Sequence, residues 1–362
     1  MNRPDMKKIL LWLFPALLCC NPGTNAQNGS KAERSVPDTY TNTICADAPF
    51  HTARKGILIV GDSGSIRAVS PYSYSRQGML SYARAVNTYH DSLAAGIRIY
   101  CMPIPTAAAF YVPDSAVSLS GDERKGINTL FAALHDSVVP VNIYTPLAQH
   151  AAEAIYSRTD HHWAPLGAYY AAKEFARVAQ VPFDSLDAYD TIVTPNYVGT
   201  MYSFSRDVAV KKSPEDFVCY IPRKADYRTF YTIYTLDKKR QRVIRESDTK
   251  EGDFFKLNYL KPENVGAAYC IFGGGDYRLI KITTSTHNHR RLLVLKDSFG
   301  NAVSAYLLNS FEEIHVVDCR YFTQNIRRYV AQNGITDILF ANNMSHAQSD
   351  KTSNMYLHYL EQ

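Results

Sequence analysis

Short apolar segments alternate with longer helical patterns along this chain, and this alternation is the feature that most restricts its fold. The apolar segments have the length of buried strands and lie at residues 55–60, 97–103, 141–144, 291–296, 313–318 and 337–341. Helical patterns lie at residues 77–94, 122–136, 147–156, 164–180 and 323–333, with another after residue 301. Strands and helices that alternate at this spacing form a mostly parallel sheet covered by helices on both faces. We therefore predict an α/β fold.

The composition changes between about residues 185 and 290. Threonine, tyrosine and valine alternate there with charged residues, as in residues 227–235, and the turn-like residues 236–239 follow. Alternation with a period of two is typical of antiparallel hairpins. We predict that 185–290 is a β-rich insertion in one α/β domain of residues 51–362.

The N-terminus has the pattern of a secretory signal peptide. Lys7 and Lys8 precede an apolar run at residues 9–20, and Thr24 and Ala26 place small residues at positions −3 and −1 of a cleavage site. We predict a signal peptide at 1–26 and a polar tether at 27–50. The mature chain would then be exported to the periplasm, the cell surface or the medium.

Cys19 and Cys20 raise the alternative of a lipoprotein. The residues before them, Leu18 and Cys19, are larger than the small residue expected at that position, so lipidation is the less favoured alternative. No other stretch approaches the roughly 18–20 apolar residues of a transmembrane helix. We expect no membrane span after the signal is removed.

Charge and cysteine content exclude several classes of protein. Loss of residues 1–26 removes three basic residues and one acidic residue, which lowers the formal net charge from +5 to about +3. So small a charge does not favour nucleic-acid binding. The five remaining cysteines allow one or two disulfides in an exported chain, and the absence of Cys-x-x-Cys argues against a zinc ribbon. We expect neither a metal nor a cofactor.

The segment Asp160-His161-His162-Trp163 lies in a loop that leads directly into a helical pattern. Asp160 and His162 are two positions apart, and they are two of the three residue types of a Ser-His-Asp catalytic triad. The serine should lie far away in the sequence. Two alternatives remain open: a packed, hydrogen-bonded helix entry, and a metal site that uses Asp160, His161 and His162.

Polar residues follow the ends of three of the predicted strands. They are Asp297 and Ser298, Asp318 and Arg320, and Asn342 and Asn343. Ligand sites of open parallel sheets collect at this edge. Ser298 is on a sharp turn between a buried strand and a helix, where free N–H groups at the helix start could stabilise an oxyanion. Ser63, in Gly61-Asp62-Ser63, is the alternative nucleophile.

Several segments together resemble the DHHW family of exported bacterial proteins, which is similar to the SGNH-hydrolase-like domain of alginate O-acetyltransferases. The matching segments are residues 159–163 with 167–170, 272–276, 293–301 and 316–321. The resemblance implies an SGNH-like three-layer α/β/α fold, catalytic Asp160 and His162 in an Asp-x-His arrangement, and Ser298 as the nucleophile. SGNH esterases place the serine first, so the order of motifs would be permuted here.

Other residues near the strand ends are candidates for binding. Asn342 or Asn343 could donate to an oxyanion, or merely cap the strand in an Asx turn. Arg320 and Tyr321 could hold sugar hydroxyls or an acidic group, or serve as structural ion-pair and packing residues. His161 and Trp163 are further candidates for substrate contact.

These observations predict an exported serine acyl-transfer enzyme that acts on acetyl esters of a polysaccharide, either as an O-acetyltransferase or as an acetylesterase. Its expected partners are an acetylated glycan and a membrane protein that donates acetyl groups. The alternative is a non-catalytic protein that binds a glycan or assists polysaccharide assembly. A lipid or thioester hydrolase would need an apolar acyl channel, which the sequence does not reveal.

Overall fold

The computed structural model describes residues 34–37, 39–62, 64–232, 234–237, 242–246 and 249–362. The predicted signal peptide and the first part of the predicted tether lie outside the described residues. The strands are β1 (Phe50–Thr52), β2 (Leu58–Val60), β3 (Arg67–Val69), β4 (Arg98–Cys101), β5 (Val138–Pro140), β6 (Tyr189–Tyr197), β7 (Glu215–Pro222), β8 (Tyr227–Thr232), β9 (Tyr234–Asp237), β10 (Arg242–Glu246), β11 (Lys250–Glu251), β12 (Leu279–Thr284), β13 (Arg291–Lys296), β14 (Glu313–Asp318) and β15 (Asp337–Ala341). The α-helices are α1 (Arg76–Ser92), α2 (Ala108–Tyr111), α3 (Glu123–Ala132), α4 (Tyr144–Gln149), α5 (Pro165–Ala179), α6 (Thr200–Ser205), α7 (Val208–Lys211), α8 (Gly300–Ala305), α9 (Ile326–Asn333) and α10 (Asp350–Glu361).

Eight of these strands form one mixed sheet in the order β11-β8-β12-β14-β13-β15-β4-β5. The five strands from β14 to β5 are mutually parallel, whereas β12, β8 and β11 continue the sheet in antiparallel pairing. All five residues of β15 and five of the six in β13 are buried. Both faces of these central strands are therefore covered, as their continuous apolar sequence requires.

The predicted strand at 55–60 is not part of this sheet, which corrects the expectation that it belongs to the parallel core. Only Leu58–Val60 is extended, and it pairs antiparallel with β1 and β3 in a separate three-stranded sheet. Lys55, Gly56 and Gly61 all have positive φ angles, so the chain turns sharply on both sides of β2. Its partners are consequently its neighbours in sequence.

The segment before the Asp160 loop also differs from the prediction. The strand expected at 141–144 is β5, which ends at Pro140, and the helix expected at 147–156 is the short α4. Asn142 lies between them, and its side chain accepts a hydrogen bond from the N–H of Thr145 near the start of that helix. This hydrogen bond fixes the turn that leads into α4, and the helix begins earlier than the apolar pattern suggested.

Helix α5 fixes the end of the Asp160 loop. It begins at Pro165, a favourable residue for a first helical turn, and buries nine residues. A β-carbon at Gly167 would overlap the carbonyl oxygen of Ile155, so glycine permits the close approach of the helix to the preceding segment. Tyr156 and Trp163 form an isolated antiparallel bridge that closes the loop. No helix in the described part of the chain is long and apolar enough to cross a membrane.

Candidate active site

Asp160, His162 and Ser298 form a continuous hydrogen-bonded chain. Nδ1 of His162 lies 2.6 Å from Oδ1 of Asp160, and Nε2 of His162 lies 2.8 Å from Oγ of Ser298. Asp160 and His162 are buried, whereas Ser298 is partly exposed. The structure thus brings together the three residues that the sequence predicted to act together, although His162 and Ser298 are 136 positions apart in the chain.

The carboxylate of Asp160 is fully engaged. Besides the bond from the His162 ring, Oδ1 accepts a hydrogen bond of 3.0 Å from the backbone N–H of His162. Oδ2 accepts hydrogen bonds from the backbone N–H and the hydroxyl of Thr200, both at 2.8 Å. Burial opposes ionisation, but His162, then His161 and the Thr200 N–H, outweigh it and hold the pKa of Asp160 well below its usual range. Asp160 is therefore an ionised acceptor that fixes the orientation of the His162 ring.

Two further contacts hold the Asp160 loop in place. Glu215 on β7 accepts the backbone N–H groups of Arg158 and Thr159 and the Thr159 hydroxyl, at 2.7–2.9 Å. A β-carbon at Gly199 would overlap the carboxylate of Asp160, so the chain before α6 can approach the carboxylate only because residue 199 is glycine. The β6–β7 region thus serves as the support of the loop.

Ser298 lies on the turn between β13 and α8. The preceding Asp297 is fully buried, and its Oδ1 accepts the N–H of Phe299 at 2.9 Å. The N–H groups of Gly300 and Asn301 donate to the carbonyls of Asp297 and Ser298. The start of the helix therefore does not offer these three N–H groups to an oxyanion, which corrects that part of the expectation.

Tyr269 and Trp163 pack beneath the Ser298 turn. The Tyr269 ring stacks on His162, and its hydroxyl lies 3.1 and 3.0 Å from the carbonyls of Ser298 and Phe299. Nε1 of Trp163 donates to the Tyr269 hydroxyl and to the Phe299 carbonyl. Trp163 is fully buried, so the structure places it under the turn and not on an open surface.

The two asparagines after β15 occupy different surroundings. The Oδ1 of Asn342 accepts hydrogen bonds from the hydroxyls of Tyr82 and Tyr356, and this residue is fully buried. Asn343 lies at the edge of a cleft, where its backbone N–H donates to Asp297 at 2.7 Å. Its side-chain oxygen accepts hydrogen bonds from the N–H groups of Ser345 and His346, so this side chain forms the Asx turn that was the alternative expectation, and Asn343 is the one of the two that lines the cleft.

Arg320 belongs to an ionic network at the ends of β13 and β14, in which Lys296 and Asp318 are buried and Arg320 and Asp276 are partly exposed. Its guanidinium contacts Asp318 and Asp276, each at 2.6 Å, and Lys296 lies 3.0 Å from Asp318. Burial opposes ionisation of Asp276, but Lys296 and Arg320 hold the pKa of this carboxyl below its usual range. The Arg320 guanidinium also lies over the ring of Tyr321, 5.3 Å from its centroid.

A cleft of about 230 Å³ adjoins the three-residue chain. The residues that line it include His161, Phe204, Phe299, Asn343, Ser345 and His346. His346 is joined to the nucleophile turn, because its Nδ1 lies 3.0 Å from Oδ2 of Asp297. Burial alone would lower the pKa of His346, but this contact with Asp297 raises it above its usual value.

Two alternatives from the sequence can be located. Ser63 lies outside the described residues, and its neighbours Gly61 and Asp62 follow β2 in the separate small sheet. Asp160, His161 and His162 each offer a metal-ligand atom, all within 4.8 Å of one another. Both ring nitrogens of His162 are hydrogen-bonded to Asp160 and Ser298, which suits proton transfer.

Sequence reasoning missed Gly199, Thr200, Tyr269 and His346. Each lies in a segment whose local sequence shows no chemical motif, and each reaches the site through tertiary packing. The only signal in the sequence was the position of His346 just beyond the polar end of a predicted strand, where ligand-binding residues collect.

The fold and site together define an α/β protein with a Ser-His-Asp constellation at the carboxyl edge of its parallel strands. A family model described as DHHW protein matches residues 29–317, and the chain therefore belongs to the DHHW family. No curated protein matches it.

Solved structures that resemble this fold include a member of the same family and a more distant protein. A DHHW family protein from Eubacterium siraeum is 35% identical with a TM-score of 0.73, and the match covers 85% of this chain and 96% of that one. PatB1 of Bacillus cereus, solved with a sulfonyl adduct, is 18% identical with a TM-score of 0.61, and the match covers 85% of this chain and 98% of that one. The PatB1 similarity supports the mixed α/β fold alone.

Proposed function

We propose that this chain is an exported serine acyl-transfer enzyme that acts on acetyl esters of a polysaccharide. The observation that carries the proposal is the unbroken chain from Asp160 Oδ1 through both nitrogens of His162 to Ser298 Oγ, with contacts of 2.6 and 2.8 Å. An isolated packed histidine has no need of a carboxylate on one nitrogen and a partly exposed serine hydroxyl on the other. This arrangement is the one that activates a serine.

In the proposed mechanism, Nδ1 of His162 keeps its proton and donates it in a hydrogen bond to the ionised Asp160. Nε2 is then free to take the proton of Ser298 as Oγ attacks the acetyl carbonyl carbon. The tetrahedral intermediate collapses when His162 returns the proton to the departing alcohol, which leaves an acetyl ester on Ser298. A second hydroxyl group or water then attacks this ester by the same proton route and restores the serine.

The oxyanion is proposed to be held by the backbone N–H of Ser298 and the side-chain amide of Asn343. Asn343 is supported by its position on the cleft and by its backbone bond to Asp297, next to the nucleophile. Asn342 remains a prediction, although its side-chain oxygen already accepts two tyrosine hydroxyls. Arg320 and Tyr321 likewise remain predicted substrate contacts.

The layer arrangement of the fold and the order of its motifs are also proposed. We propose an SGNH-like three-layer arrangement in which the Asp-x-His motif precedes the serine, supported by the order of Asp160, His162 and Ser298 along the chain. We also propose that residues 51–362 form one α/β domain and that residues 185–290 are a β-rich insertion in it. An exported location and a membrane-bound acetyl donor as partner are proposed on the N-terminal sequence and the family, respectively.

The decisive experiment is to treat the mature protein with a chromogenic acetyl ester, and separately with a small sulfonyl fluoride, and to locate any adduct by peptide mass spectrometry. We expect both reagents to modify Ser298. Ser298→Ala should lose both adducts, while the exposed Ser203→Ala serves as a matched control. Modification at Ser63, or at no serine, would contradict the proposal, and the latter result would favour a glycan-binding protein.

A further inference from the structure

The rings of His161 and His162 lie side by side with the same edge toward Asp160. Their centroids are 3.7 Å apart, and their Nδ1 atoms lie 3.8 and 2.6 Å, respectively, from the same oxygen of Asp160. Since both Nδ1 edges face the carboxylate, both Nε2 edges face away from it. The Nε2 of His162 meets Ser298, and His161 lines the cleft beside it.

The hydrogen bonds of Thr200 determine which nitrogen of His161 carries the proton. The Thr200 hydroxyl has one proton, which it donates to the ionised Asp160, and the same oxygen lies 2.6 Å from Nδ1 of His161. Nδ1 must therefore donate to Thr200. Burial, with a smaller contribution from His162, lowers the pKa of His161 to about 4, so the neutral ring leaves Nε2 as a hydrogen-bond acceptor.

Two Nε2 atoms that can accept hydrogen bonds thus lie on neighbouring rings, with His161 lining the cleft and His162 contacting Ser298 beside it. The ring centroids are 3.7 Å apart, and adjacent hydroxyls on a sugar ring have the complementary hydrogen-bonding character, because each can donate one proton. From this geometry we infer that His161 and His162 together recognise a vicinal diol of the acceptor, His162 taking the proton of the reacting hydroxyl and His161 binding the hydroxyl next to it. The inference rests on the proposed function and names the acceptor class for the same site.

The step balances as ordinary ester exchange. The reacting hydroxyl oxygen forms a bond to the acetyl carbon on Ser298, and its proton passes to Nε2 of His162. The bond from that carbon to Ser298 Oγ then breaks, and the same proton returns to Oγ. His161 gains and loses no proton, so it acts as a positioning residue.

A competition experiment with the intact mature protein tests the inference without knowledge of the natural glycan. The acetyl enzyme is formed with 4-nitrophenyl acetate in the presence of equal concentrations of cis-1,2-cyclohexanediol and cyclohexanol, and the two acetyl esters are measured by gas chromatography. Two hydroxyls give the diol a twofold statistical advantage. One additional hydrogen bond should raise its preference above this value by roughly threefold to tenfold.

His161→Asn retains an amide near the Nδ1 position but has no group at the Nε2 position, whereas His161→Gln places an amide oxygen near Nε2. We expect the product ratio to fall to about two in His161→Asn and to be partly retained in His161→Gln. The exposed His287→Asn is the matched control and should keep the wild-type ratio. Because the ratio is measured within one reaction, a purely structural effect on acylation rate leaves it unchanged.

The outcomes separate the two proposals. If the wild type releases a burst of nitrophenol but shows no diol preference, or transfers acetyl to water alone, the diol inference is overturned and the acyl-enzyme proposal stands. A wild-type preference that persists in His161→Asn also overturns it. If no acetyl-Ser298 forms at all, the proposed function fails, and the inference fails with it.

Discussion

The phenol ring of Tyr269 stacks on the imidazole of His162, with ring centroids 3.8 Å apart and planes inclined by only 7°. The Tyr269 hydroxyl lies within hydrogen-bonding distance of the backbone carbonyls of Ser298 and Phe299. One buried side chain therefore contacts both the proposed base and the turn that carries the proposed nucleophile. Burial raises the pKa of Tyr269 well above its usual value, which keeps the hydroxyl protonated as a donor.

Tyr269 therefore provides a test of how strongly the site depends on this support. Tyr269→Phe keeps the ring stack and removes only the hydroxyl bonds, and it should lower the free energy of unfolding by about 1 kcal/mol. Tyr269→Leu also removes the stack and should lower kcat for acetyl-ester hydrolysis further than Tyr269→Phe does. Steady-state kinetics and urea denaturation give the two quantities. Equal kcat values for the two variants would show that the stack does not orient His162.

Gly199→Ala tests whether the close approach of residue 199 to Asp160 is required. The added β-carbon would overlap the carboxylate, so either Asp160 or the start of α6 must move. We expect kcat to fall at least tenfold, since displacement of Asp160 frees the His162 ring, and a misplacement of about 1 Å can cost roughly a hundredfold.

The matched control is Gly266→Ala. Its β-carbon would lie 3.6 Å from the carbonyl oxygen of Val198, an ordinary contact distance. We expect this variant to resemble the wild type in kcat and melting temperature. If Gly199→Ala behaves in the same way, the proposed dependence of the site on Gly199 is incorrect.

Lys296→Met tests the buried ion pair between Lys296 and Asp318 at the ends of β13 and β14. Lys296 and Asp318 are almost completely buried, and removal of the ammonium leaves Asp318 with Arg320 as its remaining ionic partner. Loss of one partner of a buried ion pair is costly, and we expect the free energy of unfolding to fall by about 3 kcal/mol.

Arg228→Ala is the contrasting variant. Arg228 pairs with Glu251 between β8 and β11, where both side chains are exposed. Exposed ion pairs contribute little to stability because water screens them. The loss in free energy of unfolding should therefore be much smaller for Arg228→Ala than for Lys296→Met. Chemical denaturation of the two variants under the same conditions makes the comparison. Similar losses would indicate that burial of Lys296 does not govern its contribution.

The central strands were predictable because their environment is uniform. The predicted bounds of β13, β14 and β15 agree with those observed, since strands covered on both faces require continuous apolar sequence. The equally apolar β2 could not be assigned to its sheet, because its pairing is set by positive φ angles at its two ends. Periodicity does not record those angles.

The residues of the candidate site likewise divide into those that the sequence predicts and those that it does not. Asp160 and His162 are two residues apart, so their relation is visible in the sequence, and Ser298 is marked by a strand end. Thr200 and Tyr269 meet His161 and His162 only after the β6–β7 region and the segment before β12 fold against the loop. No local pattern distinguishes them from other threonines and tyrosines.

Glu123 gives a prediction for the pH dependence of stability. This carboxyl is buried, and it accepts a hydrogen bond of 2.8 Å from the backbone N–H of Thr106, which also lines the cleft beside the active site. Burial raises the pKa of Glu123 to about 8, against an ordinary value of 4.5. Between these values the folded chain holds a proton that the unfolded chain has released, so the contribution of Glu123 to stability falls as pH rises from about 4.5 to 8.

Glu123→Gln replaces the protonated acid with a neutral amide of the same shape and removes this titration. We expect the variant to match the wild type closely near pH 5 and to become more stable than the wild type by a few kcal/mol near pH 8.5. Urea denaturation of both proteins at half-unit pH intervals measures the difference directly and cancels the contributions of other titrating groups. A stability difference that stays constant from pH 5 to 9 would show that Glu123 ionises alike in the folded and unfolded chains.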